Sequence, residues 1–295
     1  CSSDLTSESY SWLFKLLADP GDEVLVPRPS YPLFDYLATF ESVRPKPYRL
    51  EYHKRWEIDL ASVESAVTER TRALVIVNPN NPTGSFLKTH ERKALLEIAH
   101  RHSLAVISDE VFFDYPFDDA APGRASLLGE ASALTFTLSG LSKVAGLPQM
   151  KLGWMIVQGP PALKAAALER LELIADTYLS VGTPVQVAAP ALLALAVEFQ
   201  TALRARLNDN LAALRLLLDA NPSCELLHVE GGWYATLRVP RVRSEDEWAL
   251  ALLERCGVLV QPGYFYDFES EAYLVLSLMT RPVAFREGVA RLLAL

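Results

Sequence analysis

Short, wholly apolar runs alternate along the chain with stretches in which apolar residues recur at helical spacing. The runs lie at residues 23–26, 73–77, 104–108, 134–138 and 154–157. They show little polar alternation, which predicts strands covered on both faces. A helical pattern at residues 91–102 separates two of them, and strand–helix–strand order is typical of parallel strands. We therefore expect an α/β fold with a mostly parallel central sheet and helices on both faces.

The pattern changes in the second half of the chain. After residue 157 it predicts a helix at 162–175 and one or two helices at 184–220. Beyond residue 225 it predicts an α+β region, with strands at 233–239 and 273–278 and helices at 245–255 and 284–293. Because residues 208–210 are the most polar point of the long helical stretch, we place a domain change near residues 204–208. The prediction is a large domain at 1–204 and a small α+β domain at 205–295.

Composition and charge narrow the class of protein. The chain has 295 residues, of which 50% are hydrophobic and 22% charged, as in ordinary globular proteins. Its net charge is −8 and no dense Lys/Arg run occurs, so we expect neither nucleic acid nor membrane as a partner. The small-apolar stretch at 188–197 is too short to span a bilayer and contains a proline. The three scattered cysteines predict reduced thiols in a cytoplasmic protein, with no disulfide framework or metal site.

Unusual polar residues follow the predicted strands, at the edge where open α/β sheets bind ligands. Residues 78–84 read Asn-Pro-Asn-Asn-Pro-Thr-Gly, a stiff loop in which Asn81 either presents an amide to a ligand or belongs to a plain turn. Asp109 follows a buried run and either caps the next segment or binds a cation. Tyr31 follows another run and either covers a planar ligand or packs in the core.

A lysine turn follows the run at 134–138. Its sequence, Ser-Gly-Leu-Ser-Lys at 139–143, presents the Lys143 amine after small polar residues, and Lys151 follows shortly afterwards. A lysine at the edge of a parallel sheet can form a Schiff base, and a nearby cation can bind a phosphate. Taken alone, the turn is more often an ordinary surface loop with an exposed lysine.

In combination these segments resemble the fold-type I pyridoxal-phosphate (PLP) enzymes, specifically the class I/II aminotransferases. The resemblance runs from about Ser7 to the C-terminus and rests on four segments in family order. They are residues 19–27 (Asp-Pro-Gly-Asp-Glu-Val-Leu-Val-Pro), 80–84 (Asn-Asn-Pro-Thr-Gly), 108–110 (Ser-Asp-Glu) and 142–143 (Ser-Lys). Each segment is unspecific alone, but their order and spacing are specific. The resemblance implies a homodimeric transaminase that acts on an amino donor and a keto acid.

The resemblance also implies roles for single residues. Lys143 would form the Schiff base with PLP and move protons, and Asp109 would keep the pyridine nitrogen protonated. Asn81 would bond the 3′ oxygen and Tyr31 would stack on the ring. A further set would hold the phosphate: Thr6, Ser7, Ser139 or Ser142, and Lys151 in place of the family's usual arginine.

Several positions depart from the family pattern. Phe112 stands where a tyrosine is common, and Gly140 stands where a serine is common. Val275 stands where the family usually has the arginine that binds the substrate carboxylate, so standard carboxylate recognition is in doubt. Trp233 and Arg281 are the substrate-site candidates, although Trp233 could simply pack and Arg281 could be an ordinary surface arginine.

The family's N-terminal arm and first helices have no counterpart before Thr6, which suggests missing N-terminal residues in the large domain. Other functions remain open. A PLP-dependent lyase, decarboxylase or racemase would use the same fold, because fold does not fix the reaction. A cofactor-binding sensor or another nucleotide-binding enzyme is disfavoured, because neither a basic DNA-binding segment nor a phosphate-loop motif is present.

Overall fold

The computed structural model describes residues 2–3, 6–117 and 123–295. The strands are β1 (Ser2–Ser3), β2 (Glu23–Arg28), β3 (Arg44–Tyr52), β4 (Trp56–Ile58), β5 (Thr71–Val77), β6 (Ala105–Asp109), β7 (Thr135–Gly140), β8 (Gly153–Gln158), β9 (Glu225–Leu226), β10 (Tyr234–Arg238), β11 (Gln261–Pro262) and β12 (Tyr273–Ser277). The helices are α1 (Thr6–Leu17), α2 (Phe34–Phe40), α3 (Leu60–Ala66), α4 (Thr89–Arg101), α5 (Leu141–Val144), α6 (Pro161–Asp176), α7 (Thr183–Asp219), α8 (Glu245–Ala251) and α9 (Pro282–Leu293).

The first sheet has eight strands in the order β1-β8-β7-β6-β5-β2-β3-β4. Its central strands β3, β2, β5, β6 and β7 are parallel, which confirms the predicted mostly parallel sheet. The strands β8, β1 and β4 are antiparallel to their neighbours. The apolar run at 154–157 therefore forms a strand, β8, that is antiparallel to the five central strands.

Continuous apolar runs fit this sheet because helices cover both of its faces. Along β5, Val75 and Val77 pack in a core that also contains residues of α1, α2 and α6. Leu74 and Ile76 pack in a second core, with residues of α3 and α4. Since alternate side chains of a strand point to opposite faces, both sets must be apolar.

The second sheet has four antiparallel strands in the order β11-β12-β10-β9. One face of it packs on α7 and α9 through a core that includes Ala235, Leu237, Leu274 and Leu276. This small antiparallel sheet near the C-terminus agrees with the predicted α+β region.

Two helices, α6 and α7, connect the two sheets along the chain, and α7 is 37 residues long. It continues without interruption through residues 204–208, so the stretch for which the sequence predicts one or two helices forms one. The polar point has another explanation, because the buried Asn210 amide donates to the carbonyl oxygens of Leu278 and Thr280 at 2.8 and 2.7 Å. The domain boundary at 204/205 falls inside α7 and stays a prediction.

The first half of α7 is apolar and largely exposed. Val187, Leu195 and Val197 are 77%, 62% and 67% exposed, and Pro190 lies within the helix. By length and composition, α7 could cross a membrane, since an 18-residue window has a mean hydropathy of 1.4 and is only 6% buried. The expectation that residues 188–197 are too short to span a bilayer therefore does not extend to the helix that contains them.

Candidate active site

The parallel register brings the predicted site residues to one edge of the first sheet. Val77, Asp109 and Leu138 lie side by side at the ends of β5, β6 and β7. The loop with Asn81 and the turn with Lys143 follow directly from these strands. Strand β2, on the other side of β5, adds the segment with Tyr31. Residues far apart in the sequence thus share one edge because their strands are neighbours.

Asp109 is a buried carboxylate with donors on both oxygens. The Tyr10 hydroxyl on α1 donates to Oδ2 at 3.1 Å, and the backbone N–H of Val111 donates to Oδ1 at 3.2 Å. Burial raises the pKa of Asp109 to about 6, while these donors and the Lys143 amine oppose the rise. A cationic ring nitrogen placed here would stabilise the ionised carboxylate.

Lys143 lies in α5, directly after β7, with its amine among aromatic rings. Its Nζ is 5.6 Å from the ring centroid of Phe112 and 5.1 Å from that of Trp233. Burial lowers the pKa of Lys143, and the nearby Asp109 carboxylate partly opposes this change. Because a larger fraction of the amine is then neutral, Lys143 is a better nucleophile than a surface lysine.

The backbone of the lysine turn is fixed by β8. Gly140 pairs with Gly153, and a Cβ on Gly140 would come within 3.0 Å of the Leu152 carbonyl oxygen. This close approach explains glycine at a position where a serine is common. The same pairing places Lys151, which is exposed and has a φ of 51°, beside the turn with Ser139 and Ser142.

The N-terminus of α1 reaches the same place. Strand β1 pairs with Gly153 and Trp154 of β8, and α1 begins three residues later at Thr6 and Ser7. Free backbone N–H groups at a helix start favour an anion. Topology therefore gathers a helix start, two hydroxyls of the lysine turn and a lysine at one end of the site. Asp4 and Leu5, part of the expected phosphate loop, lie outside the described residues.

Hydrogen bonds of Asn80 hold the loop at 78–84 in place, whereas the side-chain oxygen of its neighbour Asn81 is available to a ligand. The Asn80 amide accepts from the Ser30 hydroxyl at 2.6 Å and donates to the Pro29 carbonyl at 3.0 Å. These bonds tie the loop to the segment that carries Tyr31. Asn81 Oδ1, by contrast, is buried and has no hydrogen-bond partner among the described residues.

A glycine pair brings the second sheet to this loop. The Gly84 carbonyl accepts the backbone N–H of Gly231 at 3.0 Å, and a Cβ on Gly84 would lie 2.3 Å from Val229. A Cβ on Gly231 would similarly lie 2.6 Å from the Phe86 ring. Both glycines are needed for this contact, which holds Trp233 next to Lys143.

Two features lie away from this cluster. Arg281 is exposed at the start of α9, and no described contact joins its side chain to Lys143 or Asp109. A cavity of about 1370 Å³ opens along the outer side of α4, and none of the predicted site residues lines it.

The structure adds residues that the sequence reading did not assign. They are Tyr10, bonded to Asp109, Tyr115, whose hydroxyl donates to the Lys143 carbonyl, and Tyr266, close to Tyr31 and Tyr234. Their aromatic positions look like core packing in the sequence, so no local signal distinguishes them. Tyr234 lies in the predicted strand at 233–239, next to the substrate-site candidate Trp233. That neighbour is the only feature of the sequence that points to Tyr234 as a site residue.

Comparison with known proteins agrees with this geometry. Residues 6–282 match the family Aminotransferase class I and II, and the chain belongs to that family. It is 29% identical over 277 residues to alanine aminotransferase of Mycobacterium tuberculosis, a match that covers 92% of this chain and 64% of the relative. The chain thus spans less than two thirds of that relative's length.

Two further matches bear on fold and reaction. The solved structure of alanine aminotransferase from Pyrococcus furiosus has a TM-score of 0.88 at 25% identity, and the match covers 99% of this chain and 75% of that one. An S-alkyl-thiohydroximate lyase of Arabidopsis thaliana is 32% identical over 185 residues, which cover 61% of this chain and 39% of the lyase.

PLP is the cofactor of this family, and the residues at the sheet edge fit it chemically. An amine suits its aldehyde, a buried carboxylate suits its ring nitrogen, and a helix start beside a lysine suits its phosphate. The unpartnered Oδ1 of Asn81 is an acceptor for its ring hydroxyl.

Proposed function

We propose that the protein is a PLP-dependent aminotransferase that moves an amino group between an amino donor and a keto acid, with Lys143 as the cofactor-binding lysine. The supporting observation is that a buried carboxylate, Asp109, and a half-buried amine, Lys143, lie at one sheet edge. The Lys143 amine and the Asp109 carboxylate each shift the other's pKa, and aromatic rings surround the amine.

When bound, PLP supplies an aldehyde that condenses with amines and a ring that withdraws electrons from the attached carbon. Lys143 would bind that aldehyde and, once displaced by the substrate amine, carry a proton on Nζ as general base and acid. Asp109 would hold a proton on the ring nitrogen. Its bond from Tyr10 keeps the carboxylate oriented for this task.

The remaining residues of the site would position the cofactor. Asn81 would bond the ring oxygen, and Tyr31 would cover one face of the ring. The phosphate would be held by Thr6, Ser7, Ser139, Ser142 and Lys151. Support for this set comes from β1 and β8, which carry the start of α1 to the lysine turn.

A PLP-dependent lyase is the second candidate. It is favoured by the match to the Arabidopsis lyase and by Val275, a neutral residue where the family usually binds a carboxylate. Trp233 is part of either proposal, because its ring lies 5.1 Å from Lys143 Nζ. Arg281 has less support as a substrate residue, since it is exposed at the start of α9.

We further propose a cytoplasmic homodimer. The exposed apolar half of α7 supports a subunit contact, because large apolar patches usually mark interaction surfaces. Cys224 and Cys256 are free, which is consistent with a reducing compartment.

The test is covalent labelling of the full-length protein. Wild type incubated with PLP and then reduced with borohydride is expected to carry the label on Lys143, and Lys143→Arg is expected to carry none. Lys151→Arg, which keeps the charge at the other candidate lysine, serves as the control and should retain the label. Label at another lysine would contradict the assignment. Amino-donor half-reactions then separate the two candidates, because a transaminase returns a keto acid without cleaving the substrate.

A further inference from the structure

The second sheet presents a polar face to the site. Along β10, Tyr234 and Thr236 alternate with residues that pack into the core against α7. The Tyr234 ring centroid is 6.5 Å from that of Phe112, and Tyr234 contributes to the raised pKa of Tyr31. Since alternate residues of a strand share a face, Thr236 points to the same side as Tyr234.

Neighbouring strands extend this face with neutral residues. Val275 of β12 lies opposite Thr236, and Gln261 of β11 lies opposite Val275. Directly opposed residues of antiparallel strands lie on one face, so the three form a row across the sheet. Thr236 Oγ1 is buried and has no hydrogen-bond partner among the described residues, which is expensive unless a ligand supplies one.

The cations near this face already have partners. Arg238 follows Thr236 on the same face, but it pairs with Glu225 at 2.7 Å. Arg28 pairs with Asp35 at 3.1 Å and with Asp267 at 3.3 Å. Both guanidinium groups are therefore already paired with carboxylates.

We propose that Tyr234 and Thr236 form a neutral subsite beside Val275, in which their hydroxyls donate to the acid group of the substrate. The inference rests on the proposed function and names how its substrate is held. The ligand class is an α-amino acid, or the corresponding keto acid. Burial raises the pKa of Tyr234, so its hydroxyl stays protonated and can donate a hydrogen bond.

Neutral donors have a consequence for specificity. Hydroxyls bind a carboxylate less strongly than a bidentate guanidinium does, and they also accept the uncharged primary amide of the same substrate. The enzyme should therefore prefer L-alanine over L-alaninamide only modestly, and the hydroxyls themselves should account for that preference.

The experiment uses the full-length protein loaded with PLP. Calorimetric titration with propanoate, an unreactive acid, gives the dissociation constant, and kinetics give the ratio of kcat/KM for L-alanine to that for L-alaninamide. We expect Thr236→Val and Tyr234→Phe each to weaken propanoate binding about tenfold, as expected for a lost hydrogen bond to a charged group. The alanine-to-alaninamide ratio, which is modest in the wild type, should fall towards one in each variant.

Two further variants are the controls. Thr236→Ser keeps the hydroxyl and should retain propanoate binding within about twofold, which a purely structural role of the threonine methyl group would not predict. Thr135→Val removes another buried, unpartnered strand hydroxyl, at the far end of β7 from Lys143, and should change neither measurement.

The outcomes separate this inference from the proposed function. A protein that transaminates alanine, but whose Thr236→Val and Tyr234→Phe variants both keep wild-type propanoate affinity and substrate ratio, overturns the subsite alone. If Tyr234→Phe does not fold, the Val and Ser variants at Thr236 decide. A protein without lysine-bound PLP contradicts the proposed function, while propanoate titration still tests the subsite.

Discussion

Asp109 is buried and Lys143 is half-buried, and burial disfavours the charge of each. The pKa of the carboxyl is raised and that of the amine is lowered, although each is the other's stabilising counter-ion. Without cofactor, the ionised form of Asp109 is therefore held at a cost to stability. Functional residues often carry such a cost, which the bound ligand offsets.

This cost predicts a pH-dependent effect of Asp109→Asn on the cofactor-free protein. Asp109 has a folded pKa of about 6 against an ordinary value of 3.8, so its contribution to stability is greatest below about pH 4 and is lost as pH rises through about 6. Asparagine does not ionise. We expect the variant to be more stable than wild type by about 3 kcal/mol at pH 7.5, given ~1.4 kcal/mol per pKa unit between 3.8 and about 6, and nearly equal at pH 4.

Urea denaturation of both apo proteins at the two pH values measures this difference. An Asp109→Asn variant less stable than wild type at pH 7.5 would show that the hydrogen bonds from Tyr10 and Val111 outweigh the burial of charge.

At the scale of elements, the apolar runs predicted the central strands of the sheet. Helices cover both faces of these strands, so successive residues of each strand are apolar. Strand β3 was missed because it carries Pro45, Lys46 and Pro47, residues typical of positions near a sheet edge. The number of helices at 184–220 stayed open between one and two, because the polar residues around Asn210 resemble a break. The buried position 210 of α7 is polar because the Asn210 amide donates to carbonyl oxygens that follow β12. These contacts are tertiary, so the local sequence does not indicate them.

The candidate site was accessible from sequence for the same reason as the sheet core. Asn81, Asp109 and Lys143 follow strands whose parallel order fixes where they meet, so local pattern implies proximity. Tyr10 and Thr236 could not be found in this way. Each lies inside an element and reaches the site through the packing of that element, which the local pattern does not encode.

The loop at 78–84 and the segment at 229–231 meet through a backbone contact that only glycine permits. We expect Gly84→Ala to destabilise the protein by about 3 kcal/mol, because it combines a positive φ of 69° with a Cβ 2.3 Å from Val229. Gly129→Ala is the matched control, since Gly129 has a φ of 88° and nothing within 4 Å of the added Cβ. It should cost only about 1 kcal/mol, from the backbone alone.

Chemical denaturation of the two variants separates the steric effect from the backbone effect. Equal losses of unfolding free energy would show that Val229 moves aside and that the contact is not tight. The Gly84 variant should also show altered tryptophan fluorescence, because Trp233 follows the displaced segment.

At the scale of the whole molecule, α6 and α7 connect the two sheets, and the two halves of the long helix α7 have different surroundings. The C-terminal half of α7 packs under the second sheet, while its N-terminal half exposes Val187, Leu195 and Val197. Its middle is attached to the lysine turn, because Gln200 donates to the Val144 carbonyl at 2.9 Å. A change at this surface can therefore reach the backbone next to Lys143 through Gln200.

Charge on this surface should weaken self-association. We expect the double variant Val187→Asp, Val197→Asp to raise the dimer dissociation constant at least about tenfold, because burying a carboxylate in an apolar contact is strongly unfavourable. Light scattering of the full-length protein during gel filtration measures it. Val283→Asp, at a 78% exposed valine on α9, is the control. An unchanged dimer, with loss of vesicle binding instead, would assign the surface to a membrane.

Helix α1 touches both ends of the proposed site. It begins at Thr6 beside the lysine turn, and one turn later it supplies the Tyr10 hydroxyl to Asp109. An α-helix advances about 1.5 Å and turns about 100° per residue, so the first turn of α1 fixes a spacing and a direction at once. Inserting or deleting one residue between Thr6 and Tyr10 would swing the hydroxyl away from the carboxylate. Evolution can vary the length of surface loops in this protein, but the spacing within this one turn must stay constant.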